Sequence, residues 1–231
     1  MSETGSTNAD LVEAAVAGAP DATVLRADHQ TAGRGRLDRR WEAPPGANLL
    51  VSILLRTAVH PSLGPHDLVR AVSLAAVEAC ATTAGVRPGL KWPNDLLLGG
   101  EKLSGVLAQS GTSDDGDFTV VGIGINIGWA PDGATSLSSH CDHPPTPAAL
   151  CEEMLRALEE LLPLSRDGIH RRYVASLVTL GERVRASTPN GDIVGRALDV
   201  DVDGRLEVLD DCAITHRIDT ADVVHLRPDR P

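Results

Sequence analysis

The chain has 231 residues, which suits one ordinary domain with a small addition. Hydrophobic residues make up 42%, enough for a buried core, and this composition excludes a disordered chain. Aromatic residues are only 2%, so the core is built from Leu, Val, Ile and Ala. The net charge of −11 argues against a general nucleic-acid binder, because phosphate contacts supply most of such a protein's affinity.

The N-terminal segment and the cysteines indicate a compartment. The first ten residues lack the basic and apolar regions of a signal peptide, and no apolar run is long enough to span a membrane. The four cysteines, Cys80, Cys141, Cys151 and Cys212, show no paired spacing. These features predict a reduced, cytoplasmic protein with no membrane partner.

The first 130 residues alternate between apolar patterns and turn signals. Short polar residues at 6–8, ahead of apolar helical spacing, predict a helix N-cap, and Gly18 ends that helix. A glycine- and arginine-rich loop is predicted at 29–40, and a long helix at 65–83. Strands are predicted at 22–27, 48–56, 90–92, 95–98, 102–108 and 118–127, the last three with the spacing of a meander.

The rest of the chain divides into helices and a small β module. A loop at 131–147 is followed by amphipathic helices at 148–162 and 169–180. After 180, short apolar pieces are separated by turns such as Asp203-Gly204. Runs of strands without regularly alternating helices predict an α+β fold with a mixed or antiparallel sheet and flanking helices. We therefore predict a domain at 1–180 and a β domain at 181–231.

The loop from Gln30 to Trp41, QTAGRGRLDRRW, is the strongest candidate for ligand binding. Its glycines let backbone amides approach a ligand closely, and its arginines offer planar forks that suit carboxylate and phosphate. Trp41 supplies a flat face that can stack on a base. Taken alone, the loop is equally compatible with a solvated basic loop or an RNA contact.

Two further motifs carry polar groups that suit a ligand. The only two lysines, Lys91 and Lys102, lie in or near K-W-P-N-D, and in so arginine-rich a chain this indicates a need for a compact ammonium group. Chance retention is the alternative. In G-I-G-I-N, from 122 to 126, small residues leave space for a ligand that Asn126 could bind, although packing glycines are the simpler interpretation. Neither glycine cluster meets the dinucleotide-binding pattern.

The segment His140-Cys141-Asp142-His143 contains metal-binding residue types, but its spacing matches no standard zinc pattern. We interpret it as a solvated loop. The sequence therefore predicts no metal site built from a protein cluster.

The order of the motifs is more specific than any one of them. S-T-N at 6–8, Q-x-x-G-R-G-R-x-x-R-x-W from 30, K-W-P-N-D from 91, K-L-S-G from 102 and G-I-G-I-N from 122 resemble the catalytic domain of biotin protein ligases, over roughly residues 4–180. The module after 180 is similar to the small C-terminal domain of these enzymes. The resemblance implies a class II synthetase-like catalytic domain, an SH3-like β-barrel, and a short form without an N-terminal DNA-binding domain.

The resemblance implies a two-step ATP- and Mg²⁺-dependent reaction. Biotin's carboxylate attacks the α-phosphorus of ATP, giving biotinyl-AMP and pyrophosphate, and a carrier lysine then attacks the mixed anhydride and releases AMP. Both reactants of the first step are anions, so arginines and Mg²⁺ must neutralise them. The implied partner is the biotin carboxyl carrier domain of acetyl- or acyl-CoA carboxylase. We expect no nucleic-acid partner, and a monomer or weak homodimer.

The resemblance also assigns residues. Lys102 is the first choice for the catalytic residue, bridging the biotin carboxylate and the α-phosphate, with Arg36 and Arg39 beside it. Asp95 is a candidate to orient or deprotonate the carrier lysine, whose ordinary pKa is about 10.4. The implied biotin-binding residues are Ser6, Thr7, Asn8, Gln30, Gly33, Arg34, Gly35, Arg36, Lys102 and Gly105. The implied ATP-binding residues are Arg36, Arg39, Trp41, Lys91, Asn94 and Asn126.

Two features depart from the family's pattern. Asp38 stands where the family usually has glycine, which bears on the loop's flexibility and charge. The strand expected before Ser6 is nearly missing. The loop's glycines and like charges predict that ligands order it.

The alternatives are a lipoate ligase or lipoyl transferase with the same fold, and a non-catalytic nucleotide sensor or RNA-binding protein. The arginine loop favours biotin, and scarce aromatic residues count against RNA.

Overall fold

The computed structural model describes residues 1–37, 39–219 and 221–226, and it has the expected α+β architecture. Asp38 lies outside the described residues. The helices are α1 (Thr7–Val16), α2 (Pro65–Ala84), α3 (Pro147–Leu161) and α4 (Arg166–Ser176). The N-terminal strands are β1 (Glu3–Thr4), β2 (Val24–Ala27), β3 (His29–Gln30), β4 (Leu49–Arg56), β5 (Gly89–Lys91), β6 (Asp95–Leu98), β7 (Glu101–Ser113) and β8 (Gly116–Ile125). The C-terminal strands are β9 (Arg183–Thr188), β10 (Gly191–Val200), β11 (Leu206–Asp210), β12 (Thr215–Ile218) and β13 (Asp222–His225).

A six-stranded antiparallel sheet in the order β2-β4-β8-β7-β6-β5 is the frame of the N-terminal part. Alternate residues of β4 face opposite sides. Val51 and Ile53 join the core formed with α2 and α3, whereas Leu54 packs with Leu11 of α1 and Phe118 in a smaller core. The mostly apolar sequence of β4 therefore matches its position between helices that cover both faces of the sheet.

The capping of α1 and the bounds of α4 differ from the sequence prediction. Ser6 is the N-cap residue of α1, but its side chain makes no capping bond. Ser165 accepts a hydrogen bond from Gly168 N at 3.2 Å, so α4 begins before the predicted 169. It also ends before 180, because Val178 N donates to Leu90 O at 2.8 Å and the chain continues extended beside β5. No described helix has both the length and the apolarity needed to cross a membrane.

The strands also depart from prediction at several points. β7 continues to Ser113 rather than ending at 108, since it pairs with β8 along its whole length. The strand before Ser6 is two residues long and pairs in parallel with β3. The loop predicted at 131–147 contains a short 3-10 turn at Leu137–Ser139.

The C-terminal part is a five-stranded antiparallel sheet in the order β12-β11-β10-β9-β13. Its SH3-like character stays a prediction. The turn between β10 and β11 docks on the N-terminal part, where Trp92 Nε1 donates to Gly204 O at 2.9 Å and Arg70 donates to the carbonyls of Asp201 and Val202 at 3.0 Å. Core residues of the two parts form one continuous cluster, so the small sheet shares the core of the larger part.

Replacing Trp92 with phenylalanine should lower the free energy of unfolding by about 1–3 kcal/mol, because Gly204 O loses its buried donor. The ring is only 2% exposed. Denaturant unfolding measures the change. Trp129→Phe is the matched control, because Trp129 donates from its backbone N, to Asn48 Oδ1 at 3.3 Å. Equal losses in the two variants would contradict the assignment.

Candidate active site

A cavity of about 310 Å³ opens between the central sheet, the arginine loop and β13. Every predicted site residue except Gly33 lines it. The wall also includes residues that the sequence did not single out: Leu37, Glu42, Val51, Leu107, Pro131, Ala134, Asp222 and Val223. Motifs that are distant in sequence are thus brought to one place.

A network of neutral hydrogen bonds forms one end of the cavity. Gln30 Oε1 accepts from Thr7 N at 2.8 Å and from Thr7 Oγ1 at 2.9 Å. Ser52 Oγ donates to Asn8 Oδ1 at 2.5 Å, and Asn8 Nδ2 donates to Leu107 O at 3.0 Å. These bonds fix which donors and acceptors face a ligand.

Ser52 is a fully buried residue of this network that the sequence analysis missed. It also lies 2.8 Å from Thr7 Oγ1 and therefore links two of the predicted biotin-binding residues. A signal was available, because Ser52 is the one uncharged polar residue in the otherwise apolar run of β4.

The glycines of G-I-G-I-N make room for protein side chains. A Cβ on Gly122 would lie 2.0 Å from Asn8 Oδ1, and one on Gly124 would lie 2.4 Å from Trp41 Cε2. We expected these glycines to leave space for a ligand directly. The structure instead fills the space with Asn8 and Trp41, and those side chains face the cavity.

The arginine loop is a short hairpin. Gly35 N donates to Arg39 O at 2.7 Å, and Trp41 N donates to Gly33 O at 3.0 Å. Gly33 lies at the hairpin base, where a Cβ would be 2.3 Å from Trp41 O. Gly33 therefore acts through close backbone approach rather than as part of the cavity wall. At the tip, Leu37 adopts a φ of 55°.

A β-bulge turns Lys102 toward the cavity. Leu96 pairs with Ser104 and Leu97 pairs with Lys102, so Leu103 is the extra residue in β7. Leu103 is 0% exposed in the core. Without the bulge, the two-residue alternation would place Leu103 on the cavity side and Lys102 on the core side. Asn126 N donates to Leu103 O at 3.0 Å and helps to hold this geometry.

Lys102 Nζ forms an ion pair with Asp95 at 2.7 Å and lies 5.8 Å from the centroid of the Trp41 ring. Thr135 N holds the Lys102 carbonyl at 2.9 Å. Both ends of the Lys102 residue are therefore fixed, and Asp95, which we suggested for the carrier lysine, is engaged with Lys102 here.

The two predicted ATP-binding asparagines have protein partners. Asn94 Nδ2 donates to Val106 O at 2.7 Å, which leaves its oxygen to accept from Arg36 at 3.2 Å. Asn126 is 1% exposed; its oxygen accepts from Asn48 at 3.1 Å and its Nδ2 donates to Thr135 O at 3.0 Å. Asn126 thus has bonds that organise the cavity wall, and its contact with nucleotide stays a prediction.

The other end of the cavity is cationic. Burial lowers the pKa of Lys91, although nearby Asp95 and Asp222 act in the opposite direction. The hydrogen bond and charge of Asp222 raise the pKa of Arg39. The sequence missed Asp222 because it lies in β13, more than 180 residues after the arginine hairpin.

The arrangement suits two anionic ligands. Neutral hydrogen-bonding groups line one end of the cavity, and arginine and lysine side chains line the other. Lys102 also lines the cavity, beside the ring of Trp41. No cysteine or histidine is among the described residues of the lining. The site therefore suits a reaction in which the protein supplies positioning and positive charge to bound anions.

Comparisons with known proteins agree with this arrangement. Residues 4–126 match the Biotin/lipoate A/B protein ligase family, and residues 179–226 match the Biotin protein ligase C terminal domain. The chain is 40% identical to "Biotin--[acetyl-CoA-carboxylase] ligase" of Mycobacterium tuberculosis, covering 98% of this chain and 88% of that protein. It is 32% identical to the Paracoccus denitrificans ligase of the same name, covering 89% and 91%.

Among solved structures, biotin protein ligase from Aquifex aeolicus in complex with biotin and ATP has a TM-score of 0.82 and 27% identity. The match covers 98% of this chain and 97% of that one. The similarity therefore includes both the N-terminal part and the C-terminal sheet.

Proposed function

Because the chain belongs to the biotin protein ligase family, we propose that it activates biotin with ATP as biotinyl-AMP and transfers the biotinyl group to a lysine of a carrier protein. Atoms balance in two displacements. The biotin carboxylate forms a bond to the α-phosphorus as pyrophosphate leaves, and the carrier amine forms an amide as AMP leaves. The observation that carries this proposal is that Lys102 lines the same cavity as the neutral network and the cationic groups.

The neutral network is the proposed site for the biotin ring system. Thr7, Asn8 and Gln30 are fixed by their own hydrogen bonds, so their remaining donors and acceptors are presented without an ordering cost. Biotin's urea group offers both donors and acceptors to match them. Ser6, Arg34, Gly35 and Gly105 complete the proposed biotin wall.

The cationic end is the proposed site for ATP. Arg36, Arg39 and Lys91 would neutralise the phosphates, and Trp41 offers the ring for the adenine. Lys102 would touch the biotin carboxylate and the α-phosphate, where negative charge is greatest in the first step. Asp95 would return to Lys102 when those anions leave, or orient the carrier lysine in the second step.

The residues present fit a Mg²⁺ ion that arrives with ATP. No group of three or more His, Cys, Asp and Glu side chains in 1–37, 39–219 and 221–226 is placed to hold a metal. Mg²⁺ usually binds through one or two carboxylates together with substrate phosphates, rather than in an all-protein cage. Asp95 and Asn94, which both line the cavity, are the oxygen donors proposed to hold it. The ion would supply charge neutralisation at the phosphates.

The carrier is proposed from the names of the relatives. Two of them are ligases for acetyl-CoA carboxylase, so we propose a biotin carboxyl carrier domain as the acceptor of this chain. We further propose a cytoplasmic monomer or weak homodimer with no nucleic-acid partner, and domains at 1–180 and 181–231. Support for that boundary comes from the C-terminal family match, which begins at 179, and from β9, which begins at Arg183.

Pyrophosphate release with ATP and Mg²⁺ tests the proposed function, with biotin or lipoate as the acid. We expect release with biotin and a preference over lipoate on the order of 10⁴, because a site built to hydrogen-bond the biotin ring leaves polar groups unpaired with lipoate. Transfer to a carrier domain is then followed by mass. Release of pyrophosphate only when lipoate is the acid, or no release with either acid, would contradict the proposal.

A further inference from the structure

The C-terminal sheet contacts the arginine hairpin directly. Asp222, the first residue of β13, forms an ion pair with Arg39. The preceding carbonyl, Ala221 O, accepts from Arg36 at 3.5 Å. Two arginines of the proposed phosphate site are thus held by two consecutive residues of the other domain.

Asp222 places a negative charge among the cations at this end of the cavity. Arg39 repels Arg36 and Lys91, and the charge of Asp222 opposes this repulsion at all three side chains, although burial lowers the pKa of Arg36 and that of Lys91. Without such a carboxylate, the cluster would destabilise the hairpin through like-charge repulsion. Asp222 therefore has the electrostatic role that a phosphate would have.

The ion pair is open to exchange. The Arg39 side chain is 62% exposed and that of Asp222 is 41% exposed, so a polyanion can reach the guanidinium from the cavity. Carboxylate and phosphate engage the same planar fork of an arginine. An exposed pair of this kind is weak enough to be replaced by a triphosphate.

We propose that Asp222 is a further residue of the nucleotide site, one that occupies Arg39 in place of a phosphate and that the phosphates of ATP must displace. The inference rests on the proposed function, since it requires the nucleotide to bind at the arginines. Once displaced, the carboxylate lies near anionic oxygens and opposes their binding. It re-engages Arg39 as pyrophosphate departs, which favours product release.

Asp222→Asn tests the inference because it removes the charge and keeps the shape. We expect the Kd of ATP and that of pyrophosphate to fall about fivefold, since an exposed ion pair no longer competes for Arg39. The Kd of biotin should stay unchanged. The difference between variant and native protein should shrink at 1 M salt, where exposed charges are screened.

Asp211→Asn is the matched control, because it removes another carboxylate of the C-terminal part, one that pairs with Arg183 at 2.6 Å. It should leave the Kd of ATP unchanged, and Asp222→Ser should behave as Asp222→Asn does. If the native protein binds ATP and both Asp222 variants bind it equally well or more weakly, this inference is overturned and the proposed function is not. Failure of the native protein to bind ATP with biotin present would overturn the proposed function as well.

Discussion

Replacing Lys102 with methionine should lower kcat for biotin-dependent pyrophosphate release by about 10²–10³, the usual effect of removing one group that stabilises developing charge. Methionine keeps an apolar stem against Trp41 but removes the ammonium group that lies 5.8 Å from the ring centroid. The Kd of biotin should rise, because Lys102 would also touch the biotin carboxylate, but by much less than kcat falls, because the neutral network holds the ring system. Steady-state pyrophosphate release in the presence of a carrier domain gives kcat, single-turnover formation of biotinyl-AMP gives the rate constant of the chemical step, and equilibrium titration gives Kd.

A double variant distinguishes the loss of the Lys102 ammonium group from the effect of leaving the Asp95 carboxylate unpaired. Removing the ammonium leaves Asp95, only 19% exposed, without its 2.7 Å ion pair. The double variant Lys102→Met with Asp95→Asn relieves that unpaired carboxylate. If the defect of Lys102→Met came only from the charge of Asp95, the double variant would recover most of kcat, and the catalytic role of Lys102 would be wrong.

The sequence predicted those parts of the fold that depend on local pattern. The mostly apolar β4 and the long α2 lie within a few residues of their predicted bounds, because a continuous apolar run and a strong helical periodicity are both local signals. The end of α4 could not be predicted in this way, because it is set by the pairing of Val178 with Leu90. The extension of β7 likewise depends on its partner strand rather than on its own sequence.

The motifs predicted which residues meet at the cavity but not how they are held there. The bulge at Leu103, which turns Lys102 to the ligand side, depends on the register of two strands. The pairing of Arg39 with Asp222 joins residues 183 positions apart. Single-sequence patterns carry no information on such tertiary contacts, whereas the buried Ser52 could have been found as a polar residue in an apolar strand.

Replacing Gly122 with alanine should raise the KM for biotin by about 10- to 100-fold, the size of effect that 1–3 kcal/mol of overpacking produces. The added Cβ would lie 2.0 Å from Asn8 Oδ1, and Asn8 cannot retreat without losing its bonds to Ser52 and Leu107. The KM for ATP should change little, because the clash lies in the neutral network. Steady-state pyrophosphate release with each substrate varied in turn measures both constants.

Gly111→Ala is the matched control. It adds a Cβ 2.7 Å from Phe118 Cζ on the same sheet, at a position that does not line the cavity. It should cost stability in unfolding experiments, yet leave the KM for biotin unchanged. An equal rise of KM in the two variants would mean that strain in the sheet, rather than the position of Asn8, weakens biotin binding.

The dependence on Asn8 can be tested directly with a double-mutant cycle. If Gly122→Ala acts by displacing Asn8, then Asn8→Ala alone and the combination of both changes should have the same KM for biotin, because the added Cβ no longer meets the amide oxygen. Additive losses would instead assign Gly122 its own contact with biotin. The glycine would then leave space for the ligand itself, as the sequence suggested, and the neutral network would be a neighbour of the biotin site rather than its wall.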